Sequence, residues 1–279
     1  MCKSMKISNN DKTLDLSEPQ IMGILNVTPD SFSDGGKFNQ QDAAVKQALQ
    51  LIDDGATIID IGGESTRPGA ALVSLDEELK RVIPVIKAIR QVSNVWISID
   101  TSKAEVMKQA VAAGADLIND VRALSEEGAL EVAVKADVPV CIMHMQGQPK
   151  NMQDNPNYVD VIDEVCEFLD TRITECINAG IKRENIILDP GFGFGKTMEH
   201  NFRLVNKFSQ FLKFELPLLA GLSRKSMFDH LLGLKVDERL ASSLTGALLC
   251  AQQGAHILRV HDVKETSHML QVMQAANTY

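Results

Sequence analysis

Aromatic residues are scarce, 5% of the 279, and nothing in the chain approaches the roughly 18 consecutive apolar residues of a membrane span. Cations are the minority charge, 28 Lys and Arg against 37 Asp and Glu. The resulting net charge of −9 disfavours nucleic acid, whose binding rests on many Lys and Arg contacts to phosphate. Neither nucleic acid nor a membrane is therefore expected as a partner. The five cysteines are odd in number and contain no CxxC pair, which argues against a disulfide framework or a zinc site. Met1 to Lys6 carries basic residues with no apolar stretch behind them, so it does not read as a secretory signal, and a cytoplasmic location is expected.

Hydrophobic residues make up 44% of the chain, ample for a core, and their distribution is ordered. Eight short apolar runs, IMGIL, TIIDI, VWISI, DLI, VPVCIM, IIL, PLLAGL and HILRV, lie between Ile21 and Val260, each followed by helix-like sequence. Strand then helix, repeated at intervals of roughly 33 residues, is the pattern of a single α/β domain of the (β/α)₈ TIM-barrel class. Residues 1–20 precede the first run and are expected to form an extension covering the bottom of the barrel. The runs end at or beside Asn26, Glu64, Asp100, Asn119, His144, Asp189, Arg224 with Lys225, and His261. Polar residues just past barrel strand ends gather at one rim, which is where catalytic groups sit in this architecture.

Helix starts are marked as well. Ser74 with Glu77 and Ser102 with Glu105 match the capping box, in which each side chain satisfies the other's exposed backbone donor. After Ser74, Leu79, Val82, Ile83, Ile86 and Ile89 recur at helical spacing and should face the barrel. Asp42 to Asp54, Tyr158 to Ala179, Asp237 to Gln253 and Asp262 to Ala276 read as helices too. Gly55, Gly114, Gly180 and Gly254 each follow a helix, where a left-handed cap suits glycine. Cys141, inside a strand, reads as a small buried hydrophobe.

Two connections are longer than a scaffold needs. Asn26 to Gln41 is built of turn formers around Phe32, with a Gly35-Gly36 hinge, and Gly62 to Ser74 has the same character; long βα loops on a barrel are usually functional. His144 to Asn157 is a third, rich in Gln, Asn and Pro. Gly191 to Thr197 falls one residue short of a phosphate-binding P-loop because Pro190 stands where its first glycine should be, and its glycine spacing is not that of a dinucleotide fingerprint.

The stretch GILNVTPDSFSDGG from Gly23 to Gly36 resembles the first signature of the dihydropteroate synthase family, and GGESTRPG from Gly62 to Gly69 resembles its second. Asp100-Thr101, Asn119-Asp120, DPGFGFGK from Asp189 to Lys196, SRKS from Ser223 to Ser226 and RVHD from Arg259 to Asp262 continue the likeness to the end of the chain. That resemblance implies condensation of 6-hydroxymethyl-7,8-dihydropterin diphosphate with para-aminobenzoate, giving 7,8-dihydropteroate and pyrophosphate in folate synthesis. It also implies a Mg²⁺ requirement and a homodimer formed through the last helices. A pterin-binding methyltransferase and a catalytically silent pterin-binding paralogue are the alternatives. The methyltransferase would not need the anion set or the arylamine loops, and a silent copy would be free to lose its loop residues.

Residue roles follow from the resemblance together with chemistry. A pterin ring edged with donors and acceptors needs carboxylates and amides, and the expected set is Asp100, Asn119, Asp189, Lys225, Phe194 and Met143. Asp189 suits the guanidine-like edge, because a carboxylate accepts two parallel hydrogen bonds there. Pyrophosphate is assigned to Asn26, Thr66, Arg67, Arg259 and His261, in keeping with the recurrent phosphate site after the last barrel strands. Asn26 is the expected Mg²⁺ ligand, one protein oxygen being enough for a metal that shares phosphate oxygens and waters. Phe32, Thr66, Pro68, Lys225 and Ser226 are placed around para-aminobenzoate. The catalytic set is Asp100, Asp34, Lys225 and Arg259, with Asp100 stabilising cationic character on the pterin methylene.

Overall fold

The computed structural model describes residues 5–9, 12–28, 37–65, 72–147, 152, 153 and 155–279. A short antiparallel hairpin, β1 (Lys6–Asn9) and β2 (Lys12–Asp15), precedes eight parallel strands. These are β3 (Gln20–Asn26), β4 (Ile58–Gly62), β5 (Trp96–Asp100), β6 (Leu117–Asp120), β7 (Val140–Met143), β8 (Ile186–Asp189), β9 (Leu219–Ala220) and β10 (Ile257–Val260). Their order is 8-7-6-5-4-3-10-9, and a parallel bridge from Leu188 to Leu218 joins the two ends, closing the barrel. All eight apolar runs are strands, the seventh only two residues long beyond that bridge.

Helices wrap the outside: α1 (Lys37–Asp53), α2 (Leu75–Val92), α3 (Ala104–Ala113), α4 (Ala129–Ala136), α5 (Val161–Ala179), α6 (Met198–Asn206), α7 (Ser226–Leu232), α8 (Leu240–Gln252) and α9 (Val263–Thr278). The Ser74 hydroxyl accepts from Glu77 N at 3.3 Å and starts α2, although the Glu77 side chain turns to Arg81 instead of completing the box. Val82, Ile86 and Ile89 are buried against the barrel, with Leu79 and Ile83 packed beside them. Ser102 does not cap α3: its hydroxyl donates to the buried Asp120 carboxylate at 2.5 Å, a charge-assisted bond that outcompetes a cap, and Lys103 holds the cap position. Three other starts also differ from expectation. α1 begins at Lys37, directly after the glycine pair; α5 begins at Val161, capped by Asp160; and α8 begins at Leu240, because Arg239 binds the Leu234 carbonyl and draws 236–238 into a 3₁₀ turn.

Side chains alternate along each strand, and the two sides have opposite chemistry. Outward residues such as Ile59, Ile61, Ile97, Ile99 and Ile118 join the helices in one apolar core. Inward, each strand gives one residue to a bottom layer of Met22, Ile58, Trp96, Leu117, Cys141, Ile187, Leu219 and Ile257. Ile7 and Leu16 of the N-terminal hairpin plug this layer from below, so residues 1–20 act as the expected cover wherever they are described. Asp116 fastens the plug, accepting from Asn9 Nδ2 at 3.1 Å, Lys12 Nζ at 3.0 Å, Arg90 Nη2 at 2.5 Å and Ile97 N at 2.9 Å.

Among the described residues no helix is long and apolar enough to cross a membrane. Removing the Asp116 carboxylate strands a guanidinium, an ammonium and a backbone N–H in a half-buried place, so Asp116→Ala should lower the unfolding free energy by about 2–3 kcal/mol. Urea denaturation measures this, and substrate affinities should stay unchanged because the site lies at the other end.

Candidate active site

The inward side of the barrel changes from apolar to polar within one strand repeat. Two residues beyond the bottom layer stand Ile24, Asp60, Ser98, Asn119, Met143, Asp189, Gly221 and Arg259, and a further two along stand Asn26, Gly62, Asp100 and His261. Cross-strand register aligns Asn26, Gly62, Asp100 and Asn119 on four adjacent strands. Gly62 and Gly221 are inward positions without side chains. A Cβ on Gly62 would sit 3.7 Å from Asp100 Oδ2 and 3.9 Å from Asn26 Oδ1, and one on Gly221 would sit 3.7 Å from Asp189 Oδ2. Space is thus kept open between the carboxylates.

Arg259 lies at the centre. Its Nε donates to Asp60 Oδ2 at 2.6 Å and its Nη2 to Asp100 Oδ2 at 2.7 Å, so one guanidinium bridges two carboxylates. Asn119 Nδ2 donates to Asp60 Oδ2 at 3.3 Å. Burial raises the Asp100 carboxyl to about 7; Arg259 pulls it down, while Asp60, Asp120 and Glu78 add to the rise. Burial likewise raises Asp189, whose Oδ1 accepts from Gly191 N at 2.7 Å and orders its own turn.

The turn after β8 supplies the other wall. Phe194 is buried, and Lys225 Nζ lies over its ring 4.1 Å from the centroid, a cation–π contact close to Asp189. Lys225 is presented by a turn in which Arg224 adopts φ +57, held by Asp262 through its guanidinium, by the Ser243 hydroxyl at 2.9 Å and by Arg239 on its carbonyl at 3.0 Å. Lys196, from the same wall, is buried, and burial lowers its ammonium to about 7. Met143 sits between this interior and a cavity of about 100 Å³ bordered by Val121, Arg122, Met145 and Phe168.

These placements bring Asp100, Asn119, Asp189, Lys225, Phe194, Arg259 and Asn26 to one mouth. Arg259 faces the carboxylates within the barrel, whereas His261 is turned to the Ser223 hydroxyl at 3.1 Å. Ser226 is exposed at the start of α7. Phe32, Asp34, Thr66, Arg67 and Pro68 lie outside the described residues.

A model of the family described as pterin binding enzyme matches residues 22–261. The dihydropteroate synthase of Haemophilus influenzae is 58% identical over 97% of this chain and 98% of that protein. The chain belongs to the dihydropteroate synthase family. The Escherichia coli dihydropteroate synthase is 56% identical over 97% of this chain and 96% of its own length. Among solved structures, the Yersinia pestis dihydropteroate synthase in complex with a sulfonamide drug superposes with a TM-score of 0.94 at 53% identity, covering 99% of this chain and 100% of that one. The Xanthomonas albilineans dihydropteroate synthase with 4-aminobenzoic acid gives a TM-score of 0.94 at 46% identity, with the same coverage. As a dihydropteroate synthase family member, the chain is a transferase.

Asp60 and Lys196 are the residues that sequence reasoning passed over. Asp60 is wholly buried inside the run TIIDI, where its charge was readable but its partner, 199 residues away, was not. A carboxyl with a raised folded pKa lends stability below its unfolded value of 3.8 and loses it as pH rises through about 7. Asp100→Asn has no such loss, so its stability relative to the native chain should improve between pH 5 and pH 8. Urea midpoints at the two pH values test this, and an unchanged difference would contradict it.

Proposed function

We propose that the barrel mouth performs dihydropteroate synthesis through ionisation of the pterin substrate ahead of arylamine attack. The observation that carries the reading is the Asp60–Arg259–Asp100 cluster beside Asp189, Asn119 and Lys225: three carboxylates against two cations in a glycine-lined cup. A cup of carboxylates and an amide suits the donor-rich edge of a dihydropterin, and its carboxylates suit the positive charge that develops on it. Asp189 and Asn119 accept from and donate to the ring edge, and Lys225 supplies a donor on the opposite side. The bond between the methylene carbon and the diphosphate oxygen breaks, and its electron pair leaves with pyrophosphate. The amine nitrogen of para-aminobenzoate then forms the C–N bond and releases a proton.

Asp100 stabilises the developing cation. Opposite charges about 4 Å apart at an effective dielectric near 20 interact by roughly 4 kcal/mol, several hundred-fold in rate if realised only in the transition state. The 4-aminobenzoic acid held by the Xanthomonas albilineans enzyme supports the second substrate, and the sulfonamide bound by the Yersinia pestis enzyme supports inhibition by arylamine analogues. Arg67 and His261 are assigned to pyrophosphate, and Phe32, Asp34, Thr66, Pro68 and Ser226 to the arylamine side.

Among the described residues no three His, Cys, Asp or Glu side chains cluster to hold a metal. A Mg²⁺ ion that arrives with the diphosphate needs only one or two protein oxygens, and the Asn26 amide, beside the Gly62 gap and Asp100, fits that requirement. When bound there the ion would supply positive charge to the leaving group. Exposed Leu231, Leu232, Val236, Leu249 and Val272 support a homodimer through the last helices. The four described cysteines, all free and buried, accord with a cytoplasmic location.

Pyrophosphate release from dihydropterin diphosphate, followed with and without para-aminobenzoate and Mg²⁺, tests the reaction. Metal-dependent release coupled to dihydropteroate is expected, with slow release when the arylamine is absent; pterin binding with no release under any condition would favour a silent paralogue. Asp100→Asn should reduce kcat several hundred-fold, and Asp189→Asn should weaken pterin binding by about 10- to 150-fold. Sedimentation should give twice the chain mass, falling to one chain mass on charge substitution at Leu249.

A further inference from the structure

The turn from Asp189 to Lys196 folds around the ammonium of its own last residue. Lys196 Nζ donates to Gly191 O at 2.8 Å and Phe194 O at 3.1 Å, approaches His144 O at 3.5 Å, and lies 2.9 Å from His144 Nδ1. Gly191, Gly193 and Gly195 have φ of +74, +77 and +62, a run of left-handed glycines that lets carbonyls point inward. There is no room for side chains at two of them: a Cβ on Gly191 would meet His144 O at 1.8 Å, and one on Gly195 would meet Gln146 O at 2.3 Å. Outer ties complete the turn: Gly193 N donates to Asn201 Oδ1 at 2.7 Å, and the Tyr158 hydroxyl donates to Gly195 O at 2.7 Å.

The opposite face of this turn is the pterin wall. It carries Asp189, whose backbone oxygen accepts from His144 N at 3.0 Å, and Phe194, which supports Lys225. Lys196 is 3% exposed, so it does not itself reach a phosphate as the lysine of a P-loop would. We propose that Lys196 is a positioning residue for pterin recognition: with His144 it forms an internal cation cage that sets the turn bearing Asp189 and Phe194. This rests on the pterin-binding reading above and deepens it. Without the ammonium, inward carbonyls repel one another, the turn relaxes, and the Asp189 carboxylate leaves the ring edge.

The test is made on the full-length protein with dihydropterin diphosphate and para-aminobenzoate, with the native chain as control. Lys196→Met and Lys196→Ala should each raise the pterin KM and Kd by at least about tenfold while the para-aminobenzoate KM moves little. Ammonium chloride should restore pterin affinity to Lys196→Ala, whose cage is vacated, but not to Lys196→Met, whose cage is filled; tetramethylammonium chloride at equal ionic strength should restore neither. His144→Gln, which keeps an acceptor near the ammonium, should show a smaller loss and serves if the lysine variants do not fold. Native pterin affinity in these variants, or a loss spread equally over both substrates with no ammonium effect, would overturn the proposal. Failure of the native chain to bind the pterin would instead overturn the functional reading.

Discussion

A guanidinium held between two carboxylates inside a barrel is the constraint on which the rest of the site depends. Charges taken out of water cost several kcal/mol each unless they are paired and hydrogen-bonded. Arg259 meets that condition only because β4, β5 and β10 place Asp60, Asp100 and Arg259 on the same inward side. The surrounding structure follows from keeping this cluster dry below and open above. Eight apolar side chains form a floor, and the N-terminal hairpin seals it. The inward glycines at 62 and 221 leave the space above the floor to a ligand.

Rigidity at the mouth is distributed over polar clamps between the strand ends, the loops and the helices around it. Glu78, fully buried at the start of α2, accepts from the Thr101 hydroxyl at 2.6 Å and from Lys103 at 2.5 Å, which ties the residue after Asp100 to the helix. Lys103 also reaches Glu64, and Glu64 accepts from Val73 N at 3.0 Å, so the two described ends of the loop after β4 are drawn together. Asp262 plays the corresponding part for Lys225 through Arg224. A site on loops gains precision when its supports are locked in this way.

Much of the fold was legible because it rests on local periodicity. Short apolar runs, the Ser74 cap and the glycines after helices each report on a few neighbouring residues, and these held. Ser102 failed as a cap for a non-local reason: a buried carboxylate 18 residues on competed for its hydroxyl. The site was legible in part for a similar reason. Asp100, Asn119 and Asp189 stand at strand ends, where barrel geometry alone brings them together, and Lys225 joins them on the turn after β9. Asp60 and Lys196 owe their roles to partners that strand register and a folded turn deliver, and no spacing in the chain announces them.

Barrel class, strand positions, the polar rim at the strand ends and the likeness to one enzyme family were readable in the linear chain, because alternation and motif order are properties of it. How the charges share their partners emerges on folding: Arg259 turns inward to Asp60 and Asp100, His261 turns to Ser223, and Lys196 is buried within its own turn. Those choices depend on desolvation and on distances between residues far apart in sequence. Such energies do not exist until the barrel closes.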